Sequence, residues 1–117
     1  MKKILIVEDD ISIRELLVDV LEQKGYLVFA SVNGADGIKS LEQGTPDLIL
    51  MDVAMPIMDG YAFRKEVLLN SNWNKIPVIA MSSDHQCDKK LSEHGINNFI
   101  SKPLNIVHLL NTIKSIA

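Results

Sequence analysis

The stretch Asp47-Leu48-Ile49-Leu50-Met51-Asp52 decides the fold class. Four consecutive apolar residues between two acids are typical of a strand that is buried on both faces, as in a parallel sheet covered by helices. Similar runs recur on both sides of it, separated by segments whose apolar residues follow the helical period. The predicted strands are residues 3–7, 26–30, 47–51, 76–81 and 98–101. The predicted helices are a segment from residue 13 that ends near Gly25, and residues 35–43, 61–69, 86–93 and 104–116.

This alternation of strands and helices predicts an α/β fold of five βα units, (βα)5. Because crossovers between parallel strands are right-handed, the helices cover both faces of one five-stranded parallel sheet, and the fold is doubly wound. In such a sheet, ligands bind beyond the carboxyl ends of the strands, where the strand order reverses. The residues that follow strands one, three, four and five are therefore the first candidates for a functional site.

Length and composition limit what the chain can be. With 117 residues it has room for one domain, and 47% hydrophobic with 23% charged residues is typical of a folded globular protein. The net charge of -3 argues against a nucleic-acid-binding surface, and a single cysteine, Cys87, excludes an internal disulfide or a cysteine zinc site. The apolar run after Lys3 is too short for a signal peptide, and no run is long enough to cross a membrane. We expect one cytoplasmic domain over residues 1–117, with no output domain and no direct contact with nucleic acid or membrane.

Polar side chains follow four of the predicted strands. They are Glu8, Asp9 and Asp10 after strand one, Asp52 after strand three, Ser82 and Ser83 after strand four, and Lys102 after strand five. Asp10 is expected to favour the start of the next helix, and a lysine or serine alone would carry little weight. Asp52 is more informative, because it ends an apolar strand in mid-sheet, where an ionised carboxylate needs a partner or a metal.

Several carboxylates in one crevice indicate a cation. Close carboxylates raise one another's pKa values unless a positive charge neutralises them. Oxygen ligands without histidine or cysteine suit a hard ion such as Mg²⁺, which also binds phosphate oxygens. Asp52 can then act as a carboxylate nucleophile that forms an aspartyl phosphate, with the metal and Lys102 stabilising the charge on the phosphoryl oxygens.

Across essentially its whole length the sequence resembles the receiver domain of two-component response regulators. The motifs that carry the resemblance are Ile4-Leu5-Ile6-Val7-Glu8-Asp9-Asp10 with Arg14, Pro46 to Asp52, Met55-Pro56-Ile57-Met58-Asp59-Gly60, Pro77 to Ser83, and Lys102-Pro103-Leu104. The resemblance implies a flavodoxin-like sheet with strand order 2-1-3-4-5. It also implies that Asp52 accepts a phosphoryl group from a phosphohistidine of a histidine kinase or a phosphotransfer protein.

The same resemblance implies the roles of the other site residues. Glu8, Asp9 and Asp52, with the backbone carbonyl of Ala54, would hold Mg²⁺. Ser82 would donate a hydrogen bond to the phosphoryl group, and Lys102 would pair with it.

Signalling is expected to follow from the charge added at Asp52. Ser82 would move toward the phosphoryl oxygens and displace the loop after strand four. An aromatic ring could fill the space it leaves, and Phe99 stands where many family members carry tyrosine. Phe99 lacks the hydroxyl, and the alternative that it is an ordinary core residue stays open. The predicted output surface is formed by helix four, strand five and helix five. It would meet a downstream protein, and the chain would be a monomer or a phosphorylation-dependent dimer.

Three other functions are weighed against this interpretation. A flavodoxin-like flavin protein needs a phosphate-binding loop after strand one, where this chain has Glu8-Asp9-Asp10. An aspartate-based phosphatase is expected to have a second acid at the position of Ala54. The stronger alternative is a receiver-like docking module that acts without phosphorylation.

Overall fold

Strands and helices alternate along the chain, as the sequence predicts. The computed structural model describes residues 2–84 and 88–116. The strands are β1 (Lys3–Val7), β2 (Leu27–Ser31), β3 (Leu48–Asp52), β4 (Val78–Ser82) and β5 (Asn98–Ser101). The helices are α1 (Ile11–Gln23), α2 (Gly34–Gln43), α3 (Gly60–Leu69), α4 (Asp88–Glu93) and α5 (Ile106–Ile116). Among the described residues, no helix is long and apolar enough to cross a bilayer.

The five strands form one parallel sheet in the order β2-β1-β3-β4-β5, which confirms the predicted fold class and strand order. β3 lies at the centre, and its Leu50 is in register with Ile6 of β1 and Ile79 of β4. All five residues of β3 are buried. After β2 the chain crosses back and adds β3 on the other side of β1, so the strand order reverses between β1 and β3. The residues that follow these two strands therefore lie side by side.

Each face of the sheet has its own apolar core. On one face, α1 and α5 contribute Leu17, Leu21, Leu109 and Ile113. On the other face, α2, α3 and α4 contribute Leu41, Phe63, Val67 and Leu91. The helices cover both faces of the sheet and leave the carboxyl ends of the strands accessible.

Local interactions explain two of the differences from the predicted boundaries. Tyr26 is not the first residue of β2, because its N–H donates to the carbonyl of Leu21 and so closes the end of α1. Gly25 supplies the left-handed turn there, with φ +90°. α5 begins two residues later than predicted, because the side chain of Asn105 accepts a hydrogen bond from the N–H of His108. Predicted helix residues 86 and 87 lie outside the described residues.

The expectation that every strand is buried on both faces is wrong for the two edge strands, β2 and β5. Leu27 and Phe29 are each 44% exposed, because β2 is an edge strand and α2 covers it only in part. Leu16, which the helical period assigns to the apolar face of α1, is 47% exposed. Both discrepancies concern the margins of the sheet and leave the central strands unaffected.

Candidate functional site

Three acids meet at the carboxyl edge of the sheet. Glu8 follows β1, and Asp52 ends the adjacent β3. One carboxylate oxygen from each of Glu8, Asp9 and Asp52 lies within 4.8 Å of the others. Glu8 is fully buried and Asp52 is 4% exposed, whereas Asp9 is open to solvent. The structure therefore brings together the three side chains that the sequence proposes as metal ligands, with one side of the group accessible.

Lys102 joins the acids from the far edge of the sheet. Its Nζ lies 2.9 Å from Oε1 of Glu8 and 3.3 Å from Oδ1 of Asp52. Burial on its own lowers the pKa of Lys102, but the hydrogen bond to Glu8 and the charge of Asp52 outweigh it and raise the pKa above the ordinary value. Lys102 is therefore a cation at neutral pH, placed against the carboxylate of Asp52.

Asp52 has an unusual protonation equilibrium in this setting. Burial raises its pKa, and hydrogen bonding and charge from Glu8 raise it further, whereas the charge of Lys102 opposes both. The pKa of Asp52 is about 7 as a result. One ammonium group does not balance the acids, so this site favours either a proton or an additional cation.

The loop between β1 and α1 holds the acids in place. Asp10 is not part of the acidic group; its carboxylate accepts from the N–H of Ile13 at 3.0 Å and so begins α1, as the sequence predicts. The N–H of Asp10 donates to Oε2 of Glu8 at 3.2 Å. The guanidinium of Arg14 donates to the carbonyl of Glu8 at 2.9 Å and to that of Asp9 at 3.3 Å. Arg14 thus fixes the backbone that carries two of the acids.

Ser82 connects the site to the next two elements. It is buried at the end of β4, and its Oγ accepts from the N–H of Asp84 at 2.9 Å. Its carbonyl accepts from the N–H of Lys102 at 2.9 Å. A movement of Ser82 would therefore reach both the loop that leads to α4 and the end of β5.

The loop from β3 to α3 passes close to Asp52. At Gly60, a Cβ atom would lie 2.5 Å from the carbonyl oxygen of Asp52, so only glycine allows α3 to begin here. Ala54 is exposed on this loop. Ile57 adopts φ +69° in a γ-turn, with the N–H of Met58 donating to the carbonyl of Pro56 at 2.8 Å. This conformation could not be predicted from the residue type, because β-branched residues rarely adopt it.

Phe99 lies half-buried on the α4 side of the sheet, packed against the apolar core of that face. Together with Leu91 and Ile96 it lines a cavity of about 190 Å³ between α4 and β5. The position is compatible both with an ordinary core residue and with a ring that changes its rotamer, so the two alternatives remain.

A buried arginine that the sequence did not single out links α3 to α4. Arg64 is 6% exposed, and its Nε donates to the carbonyl of His94 at 3.0 Å. The ring of Tyr61 lies 5.0 Å from that of His94, and the Nζ of Lys90 lies 4.2 Å from the Tyr61 ring centre. The position of α4 therefore depends on polar contacts with α3 as well as on the apolar core.

Comparisons with known proteins agree with this architecture. The chain matches the response regulator receiver domain family over residues 4–114. It is 32% identical to protein PilH of Pseudomonas aeruginosa, over 99% of this chain and 98% of PilH. Chemotaxis protein CheY4 of Vibrio cholerae superposes with a TM-score of 0.93 at 30% identity, over 100% of this chain and 99% of CheY4.

A magnesium ion is present in a related structure. The receiver domain of sensor histidine kinase PA1611 from Pseudomonas aeruginosa has a magnesium ion coordinated in its active-site cleft. It superposes with a TM-score of 0.90 at 28% identity, over 98% of this chain and 96% of that domain. The acidic group Glu8, Asp9 and Asp52 is consistent with such a site.

The family match spans nearly the whole chain, and the sheet order and the acidic group are those expected of it. Receiver domains pair with histidine kinases in two-component systems, as signalling phosphoacceptors rather than as enzymes that turn over a separate substrate. This chain belongs to the response regulator receiver domain family.

Proposed function

We propose that this chain receives a phosphoryl group on Asp52, in a Mg²⁺-dependent reaction, from a phosphohistidine of a histidine kinase or a phosphotransfer protein. The observation that carries the proposal is the surroundings of Asp52. This buried carboxylate lies beside two further acids and 3.3 Å from the ammonium group of Lys102. No purely structural role requires three acids and one lysine at the accessible edge of a sheet.

The chemistry is one displacement at phosphorus. An oxygen of the Asp52 carboxylate attacks, a P–O bond forms, and the P–N bond to the donor imidazole breaks. The imidazole leaves with the electron pair of that bond and takes up a proton from water. Asp52 must be ionised to attack, so its proton has to leave first.

The other site residues bind and orient. Glu8, Asp9, Asp52 and the backbone carbonyl of Ala54 would hold Mg²⁺, which supplies positive charge that offsets the acids and the phosphoryl oxygens. Lys102 exchanges its contact with Asp52 for one with a phosphoryl oxygen. The hydroxyl of Ser82 donates to another. Each of these groups acts by position and charge.

Transmission starts at Ser82. When its hydroxyl turns toward the phosphoryl group, the contact with the N–H of Asp84 is lost and the loop toward α4 is released. We propose that the surface formed by α4, β5 and α5 changes in response and meets a downstream protein, with Phe99 filling the vacated space. The chain would act as a monomer or as a phosphorylation-dependent dimer.

The remaining expectations from the sequence belong to the same proposal. We propose that residues 1–117 act as one receiver domain, in the cytoplasm, and without direct contact with nucleic acid or membrane. The near-neutral balance of charge and the family match support these expectations.

The test is phosphorylation by a small acyl phosphate with Mg²⁺, followed by intact mass. We expect one added phosphoryl group on the wild type, none after chelation of the metal, and none on Asp52→Asn. Asp10→Asn is the matched control, because Asp10 is a neighbouring acid that begins α1 and lies outside the acidic group. An unlabelled wild type, or equal labelling of Asp52→Asn, would contradict the proposal and favour a docking module that acts without phosphorylation.

A further inference from the structure

A second pocket lies at the opposite side of the domain from the acids. Its volume is about 250 Å³, and it lies between the end of α2 and the strands β1 and β2. Its walls include the apolar side chains of Leu5, Phe29 and Pro46, and Ser40 and Gln43 add polar groups. Lys3 begins β1 and Gly44 follows α2, so this pocket lies toward the amino ends of the strands and shares no residue with the acidic group.

The charge in this pocket comes from Lys3. Its Nζ lies 5.0 Å from the centre of the Phe29 ring, an arrangement that attracts a cation to an aromatic face. The carboxylate of Asp47 accepts a hydrogen bond from the backbone N–H of Lys3, at 2.8 Å, and not from its ammonium group. Among residues 2–84 and 88–116, no carboxylate oxygen pairs with Lys3 Nζ. The ammonium group thus lines a partly apolar pocket and has no carboxylate partner among those residues.

Gly44 makes room for this ammonium group. A Cβ atom at this position would lie 2.7 Å from Lys3 Nζ. The backbone of Gly44 is extended, with φ 172°, so any residue could adopt its conformation. Glycine is therefore needed here for the space that it leaves beside the ammonium group, and not for its backbone conformation.

We propose that this pocket binds a small aryl carboxylate. The aromatic ring of the ligand packs against Phe29 and Leu5, and its carboxylate pairs with the ammonium group of Lys3. A bare anion would leave the apolar walls in contact with water, and a neutral aromatic compound would leave the ammonium group unpaired. The pocket is smaller than the roughly 300–1,000 Å³ typical of sites for drug-sized ligands, which limits the ligand to a single ring.

The experiment is a titration of the full chain with 3-phenylpropionate, followed by amide chemical shifts in ¹H–¹⁵N spectra. We expect saturable shifts around Leu5, Phe29 and Gly44. Binding of 3-phenylpropanamide, which lacks the charge, and of acetate, which lacks the ring, should each be weaker by about tenfold or more. Equal affinity for the acid and the amide would overturn the proposal, as would shifts that do not saturate or that lie away from the pocket.

Two substitutions and one control variant test whether the ammonium group of Lys3 binds the carboxylate of the ligand. Lys3→Met keeps the apolar stem and removes the ammonium group, so affinity for 3-phenylpropionate should fall by about tenfold. Gly44→Ala should also weaken binding, because the ammonium group must move away from the new methyl group. Lys2→Met removes the same charge from the adjacent exposed residue and should leave the affinity unchanged. If Lys2→Met weakens binding as much as Lys3→Met, attraction is to the general surface charge and the assigned site is wrong.

Discussion

Binding of Mg²⁺ should release a proton from Asp52. The pKa of this carboxyl is raised from 3.8 to about 7, chiefly by burial and then by Glu8. In the free protein the carboxyl is therefore mostly protonated below pH 7 and mostly ionised above it. A metal ligand must be ionised, so the metal competes with this proton. The perturbation is a change of pH from 8 to 6, and the expected direction is weaker binding at the lower pH.

The magnitude follows from the pKa. At pH 8 about one-tenth of the Asp52 carboxyls carry a proton, and at pH 6 about nine-tenths do, so the apparent Kd for Mg²⁺ should rise about tenfold. An aspartate with an ordinary pKa would leave the Kd nearly unchanged over this range. Calorimetric titration in two buffers of different ionisation enthalpy measures the proton directly. Release should be close to one proton per metal at pH 6 and about one-tenth at pH 8. A Kd that stays constant, with no proton released at pH 6, would refute this account of Asp52.

Three further predictions concern residues around the site. Lys102→Ala should still accept the phosphoryl group from a small donor but lose the phosphorylation-dependent change in partner binding, measured by titration with the partner; an unchanged response would exclude the role given to Lys102. Ile57→Gly should raise the free energy of unfolding by about 0.5–1 kcal/mol, because it relieves the left-handed backbone at φ +69°. Ile57→Ala keeps a side chain at this backbone conformation and should raise the free energy of unfolding by less. If thermal melts show equal stability for the two variants, there is no strain to relieve. Arg64→Ala should cost about 2 kcal/mol in urea unfolding, through the lost bond to the carbonyl of His94 and the lost packing of the buried stem; a cost below about 0.5 kcal/mol would mean that α4 does not depend on this contact.

Much of the site could be predicted because it depends on a few strand ends. Apolar runs mark the strands, and the residue after each run must lie at the carboxyl edge of a parallel sheet. The strand ends thus predict Glu8, Asp9 and Asp52 at one edge, and the strand order implied by the family resemblance makes β1 and β3 neighbours. The contacts of Lys102 with Glu8 and Asp52 could not be predicted in this way. They depend on how far its side chain extends past the end of β4, and the sequence pattern carries no such distance.

Other features left no pattern to interpret. The run from Leu27 to Ser31 looks like the other buried strands, and only its place at the edge of the sheet exposes it. Arg64 follows an apolar residue on a helix, where a charged side chain is normally solvated; its burial depends on the carbonyl of His94, thirty positions away. At Ile57 the surrounding loop imposes a conformation that its side chain disfavours. For β2 and Arg64 a distant part of the chain decides the outcome, and for Ile57 the loop around it does.

Asp52 is proposed to take a phosphoryl group from a P–N bond. The most direct measurement is ³¹P NMR of the protein with Mg²⁺ and phosphoramidate, a small donor whose P–N bond resembles that of phosphohistidine. We expect one acyl-phosphate resonance in the wild type, kept in Asp10→Asn and absent from Asp52→Asn. No such resonance in the wild type, or the same resonance in Asp52→Asn, would contradict it.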